Sequence, residues 1–224
     1  MKHKIAFFDV DHTLTYHSTG LWMAIGAVRA GLVPIFALLT IPFVFLWYRF
    51  GPSAATGGKG QIFPKGIPVL KGIRRERLEE VANRCFSRHI DEDLYTDARS
   101  LITAMRQAGT QVVLATTSLD IIIEPVARSL GAHAVIANRL AFEDERCTGR
   151  FEGDLIFGRT KYDACLAFAR ERGVNLSDCA FYSDSIHDLP LLLSVGKPCA
   201  VNPDWRLRAY AKKAGWEILD FAKQ

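Results

Sequence analysis

The stretch Ile-Ala-Phe-Phe-Asp-Val-Asp-His-Thr, residues 5–13, indicates how this chain folds. A short apolar run, typical of a buried strand, is followed at once by Asp9 and Asp11. A second apolar run near the other end of the chain is followed by Asp184 and Asp188. Ligands of an open α/β sheet bind at the carboxyl ends of its strands, so we expect these four carboxylates to gather there. Because like charges repel, the cluster favours a hard divalent cation, and a magnesium-dependent phosphoryl-transfer site is our first hypothesis.

Composition is typical of an enzyme of the cytoplasm. The chain has 224 residues, enough to bury a substantial core, and its net charge of +4 is spread out. No basic tract is long enough to favour a nucleic-acid partner. Five widely spaced cysteines without a Cys-x-x-Cys pair favour reduced thiols over disulfides or a zinc site. The basic start Met1-Lys2-His3-Lys4 is followed by too short an apolar run for a cleaved signal peptide.

Residues 31–48 carry no charged side chain, and their length is close to that of a membrane span. A single span would separate Asp9 from Asp184, although the site hypothesis needs both on one metal ion. Pro34 and Pro42 also interrupt any helix through the segment. We therefore predict short, mutually packed helices, with shallow insertion into a membrane face as the alternative.

Hydrophobic periodicity predicts an α/β fold, in which a Rossmann-like parallel sheet has helices on both faces. We assign residues 1–13 and 93–224 to this core and residues 14–92 to an inserted, mainly helical cap. In the core we predict strands at 4–10, 111–115, 134–137, 179–182, 199–201 and 217–219, helices at 97–108, 121–130, 161–172 and 189–195, and a hairpin at 139–157. In the cap, residues 74–89 are typical of an amphipathic helix and residues 51–60 of a flexible loop.

Four motifs occur in a fixed order, each beside a predicted strand or helix. They are Asp9-x-Asp11-x-Thr13, the run Val-Val-Leu-Ala-Thr-Thr-Ser at 112–118, Lys161, and Tyr182-Ser183-Asp184-x-x-x-Asp188. In this order they resemble the haloacid dehalogenase superfamily of aspartyl phosphatases, and in particular its phosphoserine phosphatase branch. The resemblance runs over residues 8–204 and is weakest in the cap.

The resemblance implies that Asp9 is the nucleophile and that Asp11 protonates the leaving group and later activates water. A carboxylate nucleophile divides one difficult displacement into two easier ones. The implied Mg²⁺ ligands are Asp9, the main-chain carbonyl of Asp11, and Asp184. Asp188 is expected to orient metal-bound water or Lys161 rather than to bind the metal.

Phosphate binding is assigned by the same resemblance to Thr116, Thr117 and Lys161. Preplaced donors and positive charge are suited to the transferring phosphoryl group. The alternatives are that Thr116 merely caps the next helix and that Lys161 is a solvated lysine at a helix start. His12 and His187 border motif acids, and we interpret them as neighbours of the site rather than metal ligands.

The predicted cap departs from the phosphoserine pattern. The glutamate that reads the substrate amine in that branch corresponds here to Ser18, and the arginine that pairs with the substrate carboxylate has no counterpart at residues 63–67. We therefore expect a small phosphate monoester other than phosphoserine, with a lipid-like or hydrophobic leaving group. The alternatives are a phosphotransferase or mutase that uses the same aspartyl-phosphate intermediate, and a membrane- or protein-binding module on an idle phosphatase core.

Overall fold

The computed structural model describes residues 3–36 and 65–222. The predicted loop at 51–60 lies outside these residues, as does the apolar segment beyond residue 36. Within the two described ranges, no helix has both the length and the apolar character needed to cross a bilayer.

Six parallel strands form one sheet in the order β3-β2-β1-β6-β7-β8. These strands are β1 (Ile5–Phe8), β2 (Gln111–Leu119), β3 (Ala134–Asn138), β6 (Cys179–Ser183), β7 (Lys197–Val201) and β8 (Glu217–Leu219), while β4 (Leu140–Glu143) and β5 (Arg146–Phe151) form an antiparallel pair. Strand β1 lies between β2 and β6, so the chain crosses over to opposite sides of it, which makes the end of β1 a topological switch point. The predicted α/β fold is confirmed.

Helices cover both faces of the sheet. They are α1 (Thr19–Arg29), α2 (Arg75–Cys85), α3 (Thr96–Gln107), α4 (Asp120–Leu130), α5 (Arg159–Glu171), α6 (Leu189–Leu192) and α7 (Trp205–Ala214). Successive β1 residues point to opposite faces, so Phe8 packs with α1 to α4 and Phe7 packs with α5 to α7. Since both faces are covered, every residue of β1 is buried, as in other parallel sheets.

Several elements differ from the sequence prediction, and β1 covers only Ile5–Phe8 of the predicted residues 4–10. Strand β2 continues past residue 115 to Leu119, because its last part pairs with Asn138 after a register shift. Helix α6 ends at Leu192, three residues before its predicted end, and is preceded by a 3₁₀ turn at Ile186–Asp188. Helix α7 was not predicted at all.

Two linkers connect the α/β core to the helices α1 and α2. They run side by side, with Tyr95 N donating to Leu14 O at 2.9 Å and Tyr16 N donating to Asp93 O at 3.0 Å. Helix α2 continues through a π-helical turn at Phe86–Ile90 and packs with α1 against α4. The division of the chain at residues 13/14 and 92/93 stays a prediction.

Candidate active site

The end of β1 places Asp9 at the centre of the carboxyl edge of the sheet. Phe8 is in register with Leu114 of β2 and with Tyr182 of β6, so Asp9 lies level with the first residues beyond these partners. The Asp9 N–H donates to Tyr182 O at 2.9 Å, which fixes the backbone of Asp9. The sequence motifs that follow β1, β2 and β6 therefore meet at one place.

Lys161 joins two of the predicted acids. It lies in the first turn of α5, is 3% exposed, and places Nζ 2.9 Å from Asp9 Oδ1 and 2.9 Å from Asp188 Oδ2. Ser183 Oγ donates to the same Asp188 oxygen at 2.7 Å. Asp188, four residues beyond Asp184, thus contacts Lys161 and holds its ammonium group beside Asp9.

Burial and crowding of charge shift the pKa values of these groups. Burial raises the pKa of Asp9, and the charges of Asp188 and Asp11 raise it further, while Lys161 opposes the shift. Burial, followed by the charges of Asp9 and Asp188, raises the pKa of Asp184 well above its usual value. Burial alone would lower the pKa of Lys161, but the two carboxylates in contact with it raise that pKa instead. The site therefore holds more negative charge than its own lysine balances.

These donors fit a hard divalent cation. Asp9, Asp184 and Asp188 against Lys161 leave a formal charge of −2, and all available ligands are oxygens, which Mg²⁺ prefers. In the part of the chain that the structure describes, no three side chains of His, Cys, Asp or Glu converge as a metal cluster. The predicted ligand set contains only two carboxylates, with the carbonyl of Asp11 as its third member, so it does not require such a cluster.

Thr13 orients Asp184 across the sheet. Its hydroxyl donates to Asp184 Oδ1 at 3.3 Å and accepts from the Asp184 N–H at 3.0 Å. Thr13 itself is fully buried in a turn in which the N–H groups of residues 13–15 all bond to Val10 O. Thr13 belongs to the first motif, but its function was not predicted because its partner lies 171 residues away.

Asp11 is held by two elements outside its own loop. Ser118 Oγ, near the end of β2, donates to Asp11 Oδ2 at 2.6 Å, and the N–H of Thr19, the first residue of α1, donates to Asp11 Oδ1 at 2.6 Å. The hydroxyls of Thr19 and Ser118 are 2.9 Å apart, which completes a hydrogen-bonded chain of three side chains. Neither Ser118 nor Thr19 was predicted to take part in the site.

Thr116 and Thr117 lie in the extended part of β2. Thr116 is 1% exposed and its Oγ1 accepts from the Ser118 N–H at 3.1 Å, so its hydroxyl hydrogen stays available to another acceptor. The carbonyl of Thr117 accepts from Asn138 Nδ2 at 2.5 Å, which ties β2 to β3. The position of Thr117 is therefore fixed by a hydrogen bond to its main-chain carbonyl.

Asp204 forms hydrogen bonds with the loop that carries Asp184. Its N–H donates to Asp184 O at 2.8 Å, and its Oδ2 accepts from the Ile186 N–H at 3.0 Å. Its other oxygen caps α7 by accepting from the N–H groups of Arg206 and Leu207 at 2.8 and 2.9 Å. Asp204 therefore connects the loop that carries Asp184 to the start of α7.

The two motif histidines contact residues outside this cluster. His12 Nδ1 donates to Tyr16 O at 3.0 Å, and the His187 ring lies 5.3 Å from the ring of Phe157.

A buried lysine between carboxylates, at the switch point of a parallel α/β sheet, is an arrangement suited to a phosphoryl-transfer hydrolase. A model of the haloacid dehalogenase-like hydrolase family matches residues 6–193. The chain belongs to this family, within its phosphoserine phosphatase-like group, and is a phosphoric monoester hydrolase. Phosphatases of this family generally use Mg²⁺.

Relatives whose names indicate different functions are about equally similar to this chain. A protein of Streptomyces azureus described as an inhibition of morphological differentiation protein is 35% identical over 218 residues, which is 96% of this chain and 78% of the relative. The phosphoserine phosphatase SerB1 of Mycobacterium tuberculosis is 30% identical over 221 residues, covering 96% and 70% of the two chains. A histidinol-phosphatase of Neisseria meningitidis is 32% identical over 159 residues, covering 69% and 72%. Similarity alone thus does not select a substrate.

One solved structure matches this chain over nearly the full length of both chains. It belongs to a protein of unknown function from Bordetella pertussis and matches with a TM-score of 0.84 and 26% identity, covering 98% of this chain and 99% of that one.

Proposed function

We propose that this protein hydrolyses a phosphate monoester with the help of Mg²⁺, through a covalent phosphate ester of Asp9. The observation that carries the proposal is the position of Lys161 Nζ, 2.9 Å from both Asp9 Oδ1 and Asp188 Oδ2 in a buried site. Any buried lysine needs carboxylate partners, but this one lies at the switch point of the sheet and contacts the proposed nucleophile, where phosphoryl transfer needs a fixed positive charge.

Asp9 is suited to in-line attack. Its Oδ1 is held by Lys161, which leaves Oδ2 as the oxygen that bonds to phosphorus while the bond from phosphorus to the leaving oxygen breaks. Water then attacks the phosphorus of the intermediate, releases inorganic phosphate and restores the Asp9 carboxylate.

Asp11 is the proposed proton carrier. The Asp11 carboxylate bonds to Ser118, whose hydroxyl bonds in turn to Thr19 Oγ1. Because hydroxyl groups rotate, Ser118 donates to an ionised Asp11 and accepts from a protonated one. The same three side chains therefore support Asp11 as an acid toward the leaving alkoxide and as a base toward water.

Asp9, the carbonyl of Asp11, and Asp184 are the proposed holders of Mg²⁺. When bound, the ion would offset the negative charge of the phosphoryl oxygens and of these ligands. Thr13 orients Asp184 toward this position, and the free hydroxyl hydrogen of Thr116 is suited to a phosphoryl oxygen.

The proposed substrate is a monoester other than phosphoserine, with an apolar leaving group. Ser18 takes the place of the amine-reading glutamate, and its hydroxyl makes no cap hydrogen bond. The residues around it form a row of rings, with Tyr16 and His17 4.7 Å apart and His17 and Trp22 5.8 Å apart. Rings at this position favour an apolar or planar group over a zwitterion.

Hydrolysis of an aryl phosphate tests the nucleophile. We expect activity only with Mg²⁺, and we expect Asp9→Asn, which keeps the shape and removes the charge, to lower kcat by at least about a thousandfold. Asp154→Asn, an exchange of the same kind at an exposed loop position, is the matched control and should change nothing. Undiminished turnover by the Asp9 variant would reject this mechanism.

A panel of phosphate monoesters tests the substrate class. It should contain phosphoserine, histidinol phosphate, a prenyl phosphate and a lysophospholipid phosphate. We expect the two apolar esters to give the highest kcat/KM, and a clear preference for phosphoserine would refute the interpretation of Ser18.

A further inference from the structure

A basic cavity lies between α1 and α2. One face of each helix lines it at the spacing of successive turns, with Trp22, Gly26 and Arg29 on α1 and Arg84 and Arg88 on α2 and its extension. Its volume is about 140 Å³. The helices approach closely at Gly26, where a Cβ atom would lie 2.3 Å from Cys85 Sγ, so the floor of the cavity is closed.

The positive charge of this cavity is not balanced. None of the residues that line it is acidic. Within residues 3–36 and 65–222, the guanidinium groups of Arg29, Arg84 and Arg88 make no ion pair and no side-chain hydrogen bond. Arg77, on another face of α2, is by contrast paired with Glu80 at 2.7 Å. Three unpaired arginines around one concave surface are suited to a phosphate group.

A buried donor in the same place lacks an acceptor. The indole Nε1 of Trp22 is buried and has no hydrogen-bond partner, although such a group almost always has one. The Trp22 ring stacks on His89 at 4.4 Å, which fixes its orientation. Trp22 lines the cavity together with the arginines, and its buried indole N–H has no acceptor among the described residues.

Two large apolar side chains that follow α1 in the sequence are exposed to solvent. After α1 the chain turns at Gly31, in a left-handed conformation, and Leu32 N bonds back to Ala27 O. Ile35 and Phe36 follow and are 74% and 64% exposed. Basic side chains beside exposed apolar ones are the combination found on proteins that bind the surface of an anionic membrane.

We propose that this face of the protein docks on a bilayer that contains anionic phospholipids. A lipid phosphate occupies the cavity between Arg29, Arg84 and Arg88, and Ile35 and Phe36 enter the boundary between headgroups and acyl chains. A membrane is favoured over a soluble phosphate compound because the apolar pair would gain nothing from a soluble ligand. This docking does not depend on the proposed substrate or mechanism.

Sedimentation with vesicles tests the proposal. The vesicles are phosphatidylcholine alone, or equal parts of phosphatidylcholine and phosphatidylglycerol. We expect binding to the anionic vesicles only, weakened by salt. The variant R84Q/R88Q should bind them about 30-fold more weakly, since each arginine near such a surface contributes about 1 kcal/mol. I35S/F36S should also weaken binding, but should leave its salt dependence unchanged.

A matched control separates the cavity from net charge. R77Q/R170Q removes the same charge from exposed positions outside the cavity and should bind like the unaltered protein. Equal losses in the two double variants, binding to phosphatidylcholine alone, or wild-type binding by R84Q/R88Q would each overturn the proposal. If inorganic phosphate binds in a manner that depends on Arg84 but no vesicles are bound, the phosphate group that occupies the cavity does not come from a membrane lipid, and the proposal is overturned. Unchanged hydrolysis of an aryl phosphate by every variant would show that each is folded.

Discussion

Replacement of Lys161 by methionine is the most informative perturbation of the site. Methionine retains most of the length of lysine but removes the ammonium group that contacts Asp9 and Asp188. The formal charge of Asp9, Asp184, Asp188 and the side chain at 161 then changes from −2 to −3. Loss of one partner from a buried ion pair costs about 3–5 kcal/mol, out of a total stability of about 5–15 kcal/mol.

Urea unfolding in the presence of a chelator measures this cost. For a slope of about 2–3 kcal/mol per molar urea, a loss of about 3–5 kcal/mol means that K161M should lower the unfolding midpoint by about 1–2.5 M. Lys213→Met, an exchange at an exposed position of α7, is the control and should leave the midpoint unchanged. Added Mg²⁺ should recover part of the loss, because it again balances the carboxylates.

A double variant distinguishes lost charge balance from lost packing. In K161M/D188N one of the unbalanced carboxylates becomes neutral, so at least about 1 kcal/mol of the lost stability should return. If D188N brings no recovery, or if K161M is as stable as the Lys213 control, the electrostatic account of the site is refuted.

Three further experiments test local features of the fold. Asp204→Ala should lower stability by about 1–2 kcal/mol in thermal unfolding, because it removes the cap of α7, whereas Asp204→Asn should retain most of it. Gly26→Ala should cost about 1–3 kcal/mol, since its Cβ would overlap Cys85 Sγ, while Gly20→Ala in the same helix should be neutral or stabilising; equal effects would contradict the close approach of α1 and α2. All five thiols are buried, and burial raises the pKa of Cys165, so a thiol-specific reagent at neutral pH should react only as the protein unfolds.

The strands of the core could be predicted because each is a distinct apolar run in the sequence. Buried apolar runs such as residues 5–8 and 179–182 are bounded by polar turn residues, and the alternation with helices implies parallel pairing. Helix α7 was missed because its surface is mostly charged and its first residue, Trp205, is 71% exposed. The available signal was Asp204, an N-cap residue followed by Leu207 and Ala211 at helical spacing.

The carboxylates of the site were identifiable from sequence, but the side chains that orient them were not. Asp9, Asp184 and Asp188 stand in motifs whose residue types suit one kind of chemistry. Thr13 and Ser118 act on acids that are distant in sequence, and short hydroxyl side chains look the same whether they cap a helix or hold a carboxylate. Only the register of the sheet brings these residues together.

The contact between Asp11 and the first residue of α1 constrains how the protein could be re-engineered. The Thr19 N–H and the Ser118 hydroxyl fix the Asp11 carboxylate together, so the nine residues from Asp11 to Thr19 have a length that the chemistry depends on. No such contact joins Asp11 to the later part of α1. A chimera that borrows a substrate-recognising insertion from a relative should therefore keep this protein's own sequence through the first turn of α1 and change it only beyond that point.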